Sequence, residues 1–255
     1  KKKRILDVRV ENGYLMLNKN KIVVTGGTGR FGKILKNYDT KKTYLFPSKK
    51  ELNILKTNSI KKYLKKIRPK YLIHLAGLSR PMSIHDTDIA KSINLNIVGT
   101  SNIVNACSLF KIKVIYFSTN YVYPNVPGKY KEKDPVYPIN NYAWSKLGGE
   151  CAVQMYKNSL IIRACMTEYP FVHKFAFSNM FANFIFHKDF IKILGKVLKI
   201  KGVLNIGGSA KSVYEFAKKT NPKVKKMKIK TTNKFNLPLN SLMNLNKLNK
   251  ILKKK

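Results

Sequence analysis

The sequence predicts an α/β fold, a doubly wound parallel sheet followed by a smaller C-terminal domain. Three observations predict it. As far as Arg163, short β-rich runs alternate with helical periods, as a parallel sheet with crossover helices requires. A glycine-rich turn, Thr25-Gly26-Gly27-Thr28-Gly29-Arg30-Phe31-Gly32, stands directly between the first buried run and a helical one. Beyond Arg163 the alternation gives way to an irregular, aromatic-rich stretch.

Taken in order, residues 1–20 form an N-terminal extension, in which 4–17 read as a hairpin around Glu11-Asn12-Gly13. Ile22-Val23-Val24-Thr25 is a buried strand, and a helix is expected over 29–36. Residues 43–46 are the second strand, stopped by Pro47. Asn58 or Ser59 is expected to cap a helix whose apolar positions Ile60, Leu64 and Ile67 recur at helical spacing, with Pro69 ending it. Further strands are expected over 71–75, 113–118 and 159–163, and helices over 89–109 and 142–156. These elements make one domain over 21–165. The second domain, 166–255, begins irregularly (165–187) and continues with a helix over 190–198. A strand over 203–206, closed by Gly207-Gly208, is able to return to the main sheet. A helix capped by Ser209 or Ser212 follows, and the basic tail is weakly periodic. This domain is expected to cover the C-terminal edge of the sheet.

Composition narrows the function classes. With 255 residues, 44% of them hydrophobic, the chain can bury a full core. It contains no run of 18 apolar residues, so no membrane span is expected. Cys107, Cys151 and Cys165 are scattered, and His85, His173 and His187 show no ligand spacing. That pattern predicts a reducing, cytoplasmic setting with neither disulfides nor a metal. The charge, 51 Lys+Arg against 12 Asp+Glu for a net +39, draws anions. The cations are nearly all Lys, without the Arg forks and exposed aromatics of nucleic-acid readers. Small phosphorylated ligands are therefore expected, and specific nucleic-acid binding is not.

The glycine turn carries the cofactor argument. Gly26, Gly29 and Gly32 give a tight turn, a close approach of backbone N–H groups to a diphosphate, and close helix-on-sheet packing. In NAD-preferring sites of this design an acidic residue ends the second strand and binds the ribose diol. Here that place reads Phe46-Pro47-Ser48-Lys49-Lys50, with no acid before Glu51. Lys49, Lys50 or Arg30 is placed to pair with a 2′-phosphate, which favours NADPH while leaving NADH possible.

The reactive groups come from two further segments. Tyr142 and Lys146, four residues apart, share one helix face. An ammonium beside a phenol is expected to lower the phenol's pKa towards working pH. Thr119, at the end of a buried strand, supplies a hydroxyl where the ligand crevice of such a sheet lies. His74 reads as a core histidine and Cys165 as an inert small residue. Arg163 reads as a structural ion pair or a phosphate ligand, and Tyr169, Phe171, Phe175, Phe177 and Phe181 as core or as a sugar platform.

With these pieces the chain resembles the extended short-chain dehydrogenase/reductase family, above all its dTDP-4-dehydrorhamnose reductase-like sugar-nucleotide reductases. The glycine turn, Leu52-Asn53-Ile54, Ile73-His74-Leu75-Ala76-Gly77, Asn96-Ile97-Val98-Gly99-Thr100, Ser118-Thr119-Asn120-Tyr121-Val122-Tyr123 and Tyr142-Ala143-Trp144-Ser145-Lys146-Leu147-Gly148-Gly149-Glu150 carry the likeness over 21–163. Gly202-Val203-Leu204-Asn205-Ile206-Gly207-Gly208 extends it more weakly. The resemblance implies Tyr142 as general acid, Lys146 as its partner and ribose ligand, and Thr119 as the group polarising the substrate carbonyl. It implies a cofactor site of Gly26, Gly29, Arg30, Phe31, Gly32, Ser48, Lys49, Asn53, Ile54, Leu75, Ala76, Gly77, Asn96, Ser118, Tyr142 and Lys146, with Asn53 near adenine and Asn96 supporting the framework. The family often has Asp where Asn53 and Asn120 stand, and the chain is short for it.

The implied activity is NAD(P)H-dependent reduction of a nucleotide-linked 4-keto-6-deoxy sugar, by a chain able to form a homodimer. Dehydration would need a carboxyl acid/base pair where Asn120 and Tyr121 stand. Two alternatives stay open: a 4-epimerase with bound NAD, and a non-catalytic NADP-binding regulatory subunit like the β subunit of methionine adenosyltransferase.

Overall fold

The computed structural model describes residues 9–11, 14–16, 21–39, 43–230 and 236–253. In chain order its strands are β1 (Arg9–Glu11), β2 (Tyr14–Met16), β3 (Ile22–Thr25), β4 (Tyr44–Leu45), β5 (Tyr71–His74), β6 (Lys113–Thr119), β7 (Ser159–Thr167), β8 (Phe175–Phe177), β9 (Phe181–Ala182), β10 (Phe184–Phe186), β11 (Gly202–Ile206), β12 (Lys211–Ser212) and β13 (Lys225–Met227). The α-helices are α1 (Arg30–Tyr38), α2 (Thr57–Ile67), α3 (Ile84–Thr87), α4 (Ile89–Ile93), α5 (Gly99–Leu109), α6 (Asn141–Met155), α7 (His187–Val197), α8 (Val213–Lys218) and α9 (Asn246–Lys253).

The β-rich runs are apolar at consecutive positions, so each strand must be covered on both faces. The sheet that results is parallel throughout, in the order β4-β3-β5-β6-β7. β11 lies against the first part of β7, with Gly202 opposite Leu160, and β10 against its end, with Phe186 opposite Thr167. Phe31 and Leu35 of α1 join Phe190, Leu194 and Val197 of α7 and Leu248 of α9 on one face. Ile60 and Leu64 of α2 join Ile103 and Val104 of α5 and Val153 of α6 on the other. The chain leaves β3 for β4 and then crosses back to β5. Winding therefore reverses between β3 and β5, where such sheets open a ligand crevice. A third cluster, around Phe171, Met180, Val213, Ala217 and Ile229, lies beyond the end of β7. No helix among the described residues is long and apolar enough to cross a membrane.

The doubly wound parallel sheet is the expected one, and its departures have local causes. α2 starts at Thr57, preceded by Lys56 with no side-chain cap; Ser59 is spent instead on the preceding turn, its Oγ accepting from the Asn53 N–H at 3.1 Å. The expected helix over 89–109 is interrupted by a π turn, Asn94–Val98. β7 runs on to Thr167, because β10 pairs with its last residues. The stretch 165–187 therefore holds short strands where irregular chain was expected, and the tail forms α9. Ser212, rather than Ser209, caps α8 in a reciprocal box with Glu215. β1 and β2 pair antiparallel; the Asn12-Gly13 tip and residues 4–8 and 17 of the expected hairpin lie outside the described residues.

Two buried polar groups lock this scaffold. Arg163 of β7 grips Glu150 of α6, Nη2 to Oε2 at 2.8 Å, with both side chains almost fully buried. Of the two readings of Arg163, the structural pair is the observed one. His74, at the end of β5, lies between the Thr25 hydroxyl (2.8 Å) and the Thr100 hydroxyl (3.1 Å). Burial, aided by the Lys146 charge, drops its pKa to about 3.

Glu150→Ala leaves Arg163 buried without its counter-charge and should cost roughly 3–5 kcal/mol in urea denaturation. His74 sets a pH dependence of stability. Its ordinary pKa is 6.5 and its folded pKa about 3, so between those values the unfolded chain binds the extra proton. Stability should fall as pH drops below 6.5, by about 1.4 kcal/mol per pH unit from this residue. A His74→Gln variant should show a correspondingly shallower decline between pH 6.5 and 5.

Candidate active site

Backbone crowding shapes the crevice. Gly26 has φ +73°, and a Cβ there would lie 2.6 Å from the Ala76 nitrogen. A Cβ on Gly32 would lie 2.5 Å from the Gly26 oxygen. Only glycine allows the turn after β3 to press onto the end of β5 and onto α1. Gly29 opens α1 with no side-chain cap, so first-turn amides and the positive helix end are left for an anion.

Gly26, Gly29, Arg30, Phe31, Gly32, Leu75, Gly77, Ser118, Tyr142 and Lys146 line one cleft of about 210 Å³. Sites that bury a whole drug-sized ligand run to roughly 300–1,000 Å³, so this cleft alone is too small to enclose one. The other expected residues are placed differently. Ala76 forms the wall behind Gly26. The Ile54 side chain is buried in the core against Gly99. Asn53 uses its Oδ1 to accept the Leu55 N–H at 3.0 Å. Ser48 gives its N–H and hydroxyl to Glu51, each at 2.8 Å, while Lys49 and Lys50 are exposed beyond β4 and in no ion pair among the described residues.

Asn140 caps α6, its Oδ1 accepting the Ala143 N–H at 2.9 Å, and so aims the first two turns at the end of β6. Tyr142 and Lys146 then meet in the cleft, with Thr119 beside Tyr142. Burial raises the Tyr142 phenol above its ordinary 10.0; hydrogen bonding to Thr119 and the charges of Arg30 and Arg80 oppose this without cancelling it. The expected lowering by Lys146 is thus corrected. The same burial brings Lys146 itself down to about 7, against the pull of Glu150, and its Nζ sits 4.2 Å over the Tyr116 ring.

Asn96 ties these parts together. Its Oδ1 accepts the Leu78 N–H at 2.7 Å. Its Nδ2 donates to the Leu78 carbonyl at 2.9 Å and to Ser145 Oγ at 2.8 Å. Ser145 in turn donates to the Tyr142 carbonyl at 2.7 Å.

A second cavity, of about 590 Å³, shares Arg30, Ser79, Tyr142, Ala164 and Met166 with the cleft. Thr119, Tyr121 and Cys165 line it, as do Phe171, Phe175 and Phe177 of the expected aromatic cluster; Tyr169 and Phe181 are exposed outside that wall. Burial pushes the Cys165 thiol up to about 12, so it is unreactive. The wall has Arg30, Arg80 and Lys174 against one adjoining carboxylate, Glu168, a surplus of cations suited to an anionic ligand. At the junction of the two spaces Arg30 pairs with Glu168 at 2.7 Å, and Arg80 lies 3.7 Å from the same residue. Burial works against the Glu168 carboxylate, but hydrogen bonds from its own backbone and Arg30, with both arginine charges, hold it at about 2. Arg30 is thus paired with Glu168, while Lys49 and Lys50 stay exposed beyond β4. Sequence reasoning missed Arg80 and Glu168. Their only signal was rarity, an arginine and an acid in a lysine-rich chain. Among the described residues no His/Cys/Asp/Glu group is placed to hold a metal.

A family model, RmlD substrate binding domain, matches residues 20–176. The methionine adenosyltransferase 2 subunit beta of Bos taurus is 25% identical over 156 residues, 58% of this chain and 46% of that one. The dTDP-4-dehydrorhamnose reductase of Mycolicibacterium smegmatis is 27% identical over 137 residues, 52% and 41% of the two chains. The chain thus spans under half the length of the curated relatives it matches. Its fold is similar to a crystal structure of dTDP-4-dehydrorhamnose reductase from Bacillus anthracis in complex with NADP, with TM-score 0.81, 22% identity and coverage of 91% of this chain and 92% of that one.

Asn96→Ala should remove support from both the Leu78 loop and α6. The loss expected for buried groups left unpaired is about 1–3 kcal/mol, read as a lowered urea midpoint. Hydrogen exchange should quicken at Leu78 and in the first turn of α6, and unchanged protection there would refute the tie.

Proposed function

The chain belongs to the RmlD substrate binding domain family, and on that premise we propose that it is an NADPH-dependent reductase of a nucleotide-linked 4-keto-6-deoxy sugar. One observation carries the reading: the two cavities meet at Tyr142, with Thr119 in the wall of the larger and Lys146 in that of the smaller.

The residues fit a dinucleotide. The glycine turn and the uncapped start of α1 suit a diphosphate. The Ser118 Oγ in the same cleft is buried with no partner among the described residues, a polar atom that a ligand would satisfy. No free acid ends β4, since Glu51 is held by Ser48, and Lys49 and Lys50 are exposed cations suited to a 2′-phosphate. NADPH is therefore preferred to NADH.

When bound, the dinucleotide supplies the hydride. Thr119 donates a hydrogen bond to the substrate carbonyl oxygen and holds it against the phenol. Tyr142, kept protonated by burial, gives its proton to that oxygen as negative charge develops there. Lys146, with its pKa brought down to about 7, stabilises the phenolate left behind and would donate to the ribose hydroxyls of the dinucleotide. Arg30 and Arg80 hold the substrate's phosphate charge at the rim.

The matches to methionine adenosyltransferase 2 subunit beta support a second reading, a regulatory subunit that binds the cofactor without turnover. The intact Thr119, Tyr142 and Lys146 favour catalysis.

NADPH absorbance should fall when the protein meets a 4-keto-6-deoxy sugar nucleotide from a panel of such compounds. Tyr142→Phe should slow that turnover by at least about a hundredfold while still binding NADPH. Turnover equal to the parent's would defeat the assignment of Tyr142. NADPH binding with no oxidation by any member of the panel would move the reading to the regulatory subunit, to be checked by binding to a methionine adenosyltransferase catalytic subunit.

A further inference from the structure

Among the described residues three buried side-chain atoms lack a hydrogen-bond partner: Nε2 of His85, Oγ of Ser118 and Nδ1 of His187. Buried polar atoms in folded proteins are nearly always paired, so a cluster of orphans asks for a ligand. Two of these three line the same 210 Å³ cleft. His85 does not; it lies in the wall of a separate cavity with Trp144 and Cys151.

His187 opens α7, and its imidazole packs on Phe31, with ring centroids 5.5 Å apart. α7 thereby brings it beside Phe31 in the first turn of α1, in the same cleft that Ser118 at the end of β6 lines. Its burial brings the pKa to about 4, with Glu168 opposing and Arg30 and Arg80 reinforcing the fall. At neutral pH the ring is uncharged, and a neutral imidazole presents Nδ1 as either donor or acceptor, according to tautomer. A serine hydroxyl has the same versatility. An anion would instead favour the imidazolium, and the cleft already offers anions the start of α1. A neutral group that carries donors and an acceptor side by side complements a neutral imidazole nitrogen and a hydroxyl in one small cleft. A primary amide, with two N–H donors and a carbonyl oxygen, is such a group.

We propose that His187 Nδ1 and Ser118 Oγ hold the carboxamide of the nicotinamide ring, and so fix which way round the ring lies. The assignment of His187 rests on the dinucleotide reading above and adds a cofactor contact from α7, an element outside the glycine-turn half of the sheet. It makes α7 a sensor of the reactive half of the cofactor, because loss of the contact touches the nicotinamide and leaves the adenosine and phosphates alone.

The test compares two ligands by calorimetry: NADPH, and 2′-phospho-ADP-ribose, which keeps the nucleotide and phosphates but lacks the nicotinamide. His187→Phe fills the same space beside Phe31 without the ring nitrogens. It should bind NADPH about three- to tenfold more weakly, the scale of one lost hydrogen bond, with 2′-phospho-ADP-ribose unchanged. His187→Gln, which restores a polar group, should recover part of the loss. Thermal unfolding of each variant reports folding, and Ser118→Ala gives an independent reading with the same selective loss expected. Unchanged NADPH affinity in both His187→Phe and Ser118→Ala overturns the proposal. So does an equal loss with both ligands, which would put His187 at the phosphates. A parent protein that binds neither ligand overturns the dinucleotide reading itself, a failure distinct from that of this contact.

Discussion

The crevice at the end of the sheet is tied together by one buried amide. Asn96, 1% exposed, uses its carboxamide to join the loop after β5, its own helical segment and, through Ser145, the first turn of α6. An α-helix advances by about 100° per residue, so a single extra residue re-aims everything beyond it. The π turn Asn94–Val98 supplies such a residue, and π turns recur at functional sites for that reason. Gly77 makes the room: a Cβ there would lie 2.7 Å from the Asn96 Oδ1. One side chain thus bonds both the loop that follows β5 and, through Ser145, the helix bearing Tyr142 and Lys146.

Burial also decides the electrostatics. A chain of net charge +39 invites the expectation that nearby cations draw Tyr142 towards phenolate. The opposite holds, because water withdrawn from the site disfavours every charged form before any pair interaction is counted. Tyr142 rises and Lys146 falls to about 7, each towards its neutral state. Glu168 goes the other way, since two guanidinium groups and its own backbone amide outweigh the same penalty. The outcome at neutral pH is a phenol that keeps its proton, an ammonium poised near its titration point, and a fixed anion at the rim. A proton donor in that state is suited to the reducing direction of carbonyl chemistry.

The amount legible in the sequence follows the range of the interactions. The sheet strands and their helices are local patterns of burial, and their order along the chain was readable from apolar runs, proline stops and the glycine turn. Gly26, Gly32, Thr119, Tyr142 and Lys146 are positioned by those same elements, so the cleft could be anticipated from spacing and resemblance. The misses are contacts between distant segments. The extension of β7 to Thr167 depends on β10, and β9 and β12 pair across some 30 residues of chain. Glu168 acquires its partner from Arg30 across the cleft. The π turn left no mark in the periodicity of 89–109. The bond from the Ser48 hydroxyl to Glu51 is a short-range contact that spacing alone does not rank.

The neighbours of Thr119 bear on which reaction this face can run. Asn120 stands where a carboxyl acid would be needed to lose water from a sugar, and its amide is fully committed to the fold. Its Nδ2 donates to Ser241 Oγ at 2.6 Å and to the Ser241 carbonyl at 3.3 Å, clamping the C-terminal segment over the end of β6. A carboxylate there would face that carbonyl oxygen with no proton to offer it, so the position is built for a neutral donor. Tyr121, the next residue, is driven well above its ordinary pKa by burial and holds its proton. Beside Thr119 the crevice therefore offers the Tyr142 phenol, with the Lys146 amine brought down to about 7 in the adjoining cleft, and no carboxyl at positions 120 and 121. Carbonyl reduction needs one proton and one hydride, whereas eliminating water also needs a base at carbon and an acid at the departing hydroxyl. Asn120 and Tyr121, the two residues directly after Thr119, bring no carboxyl to meet the additional demand.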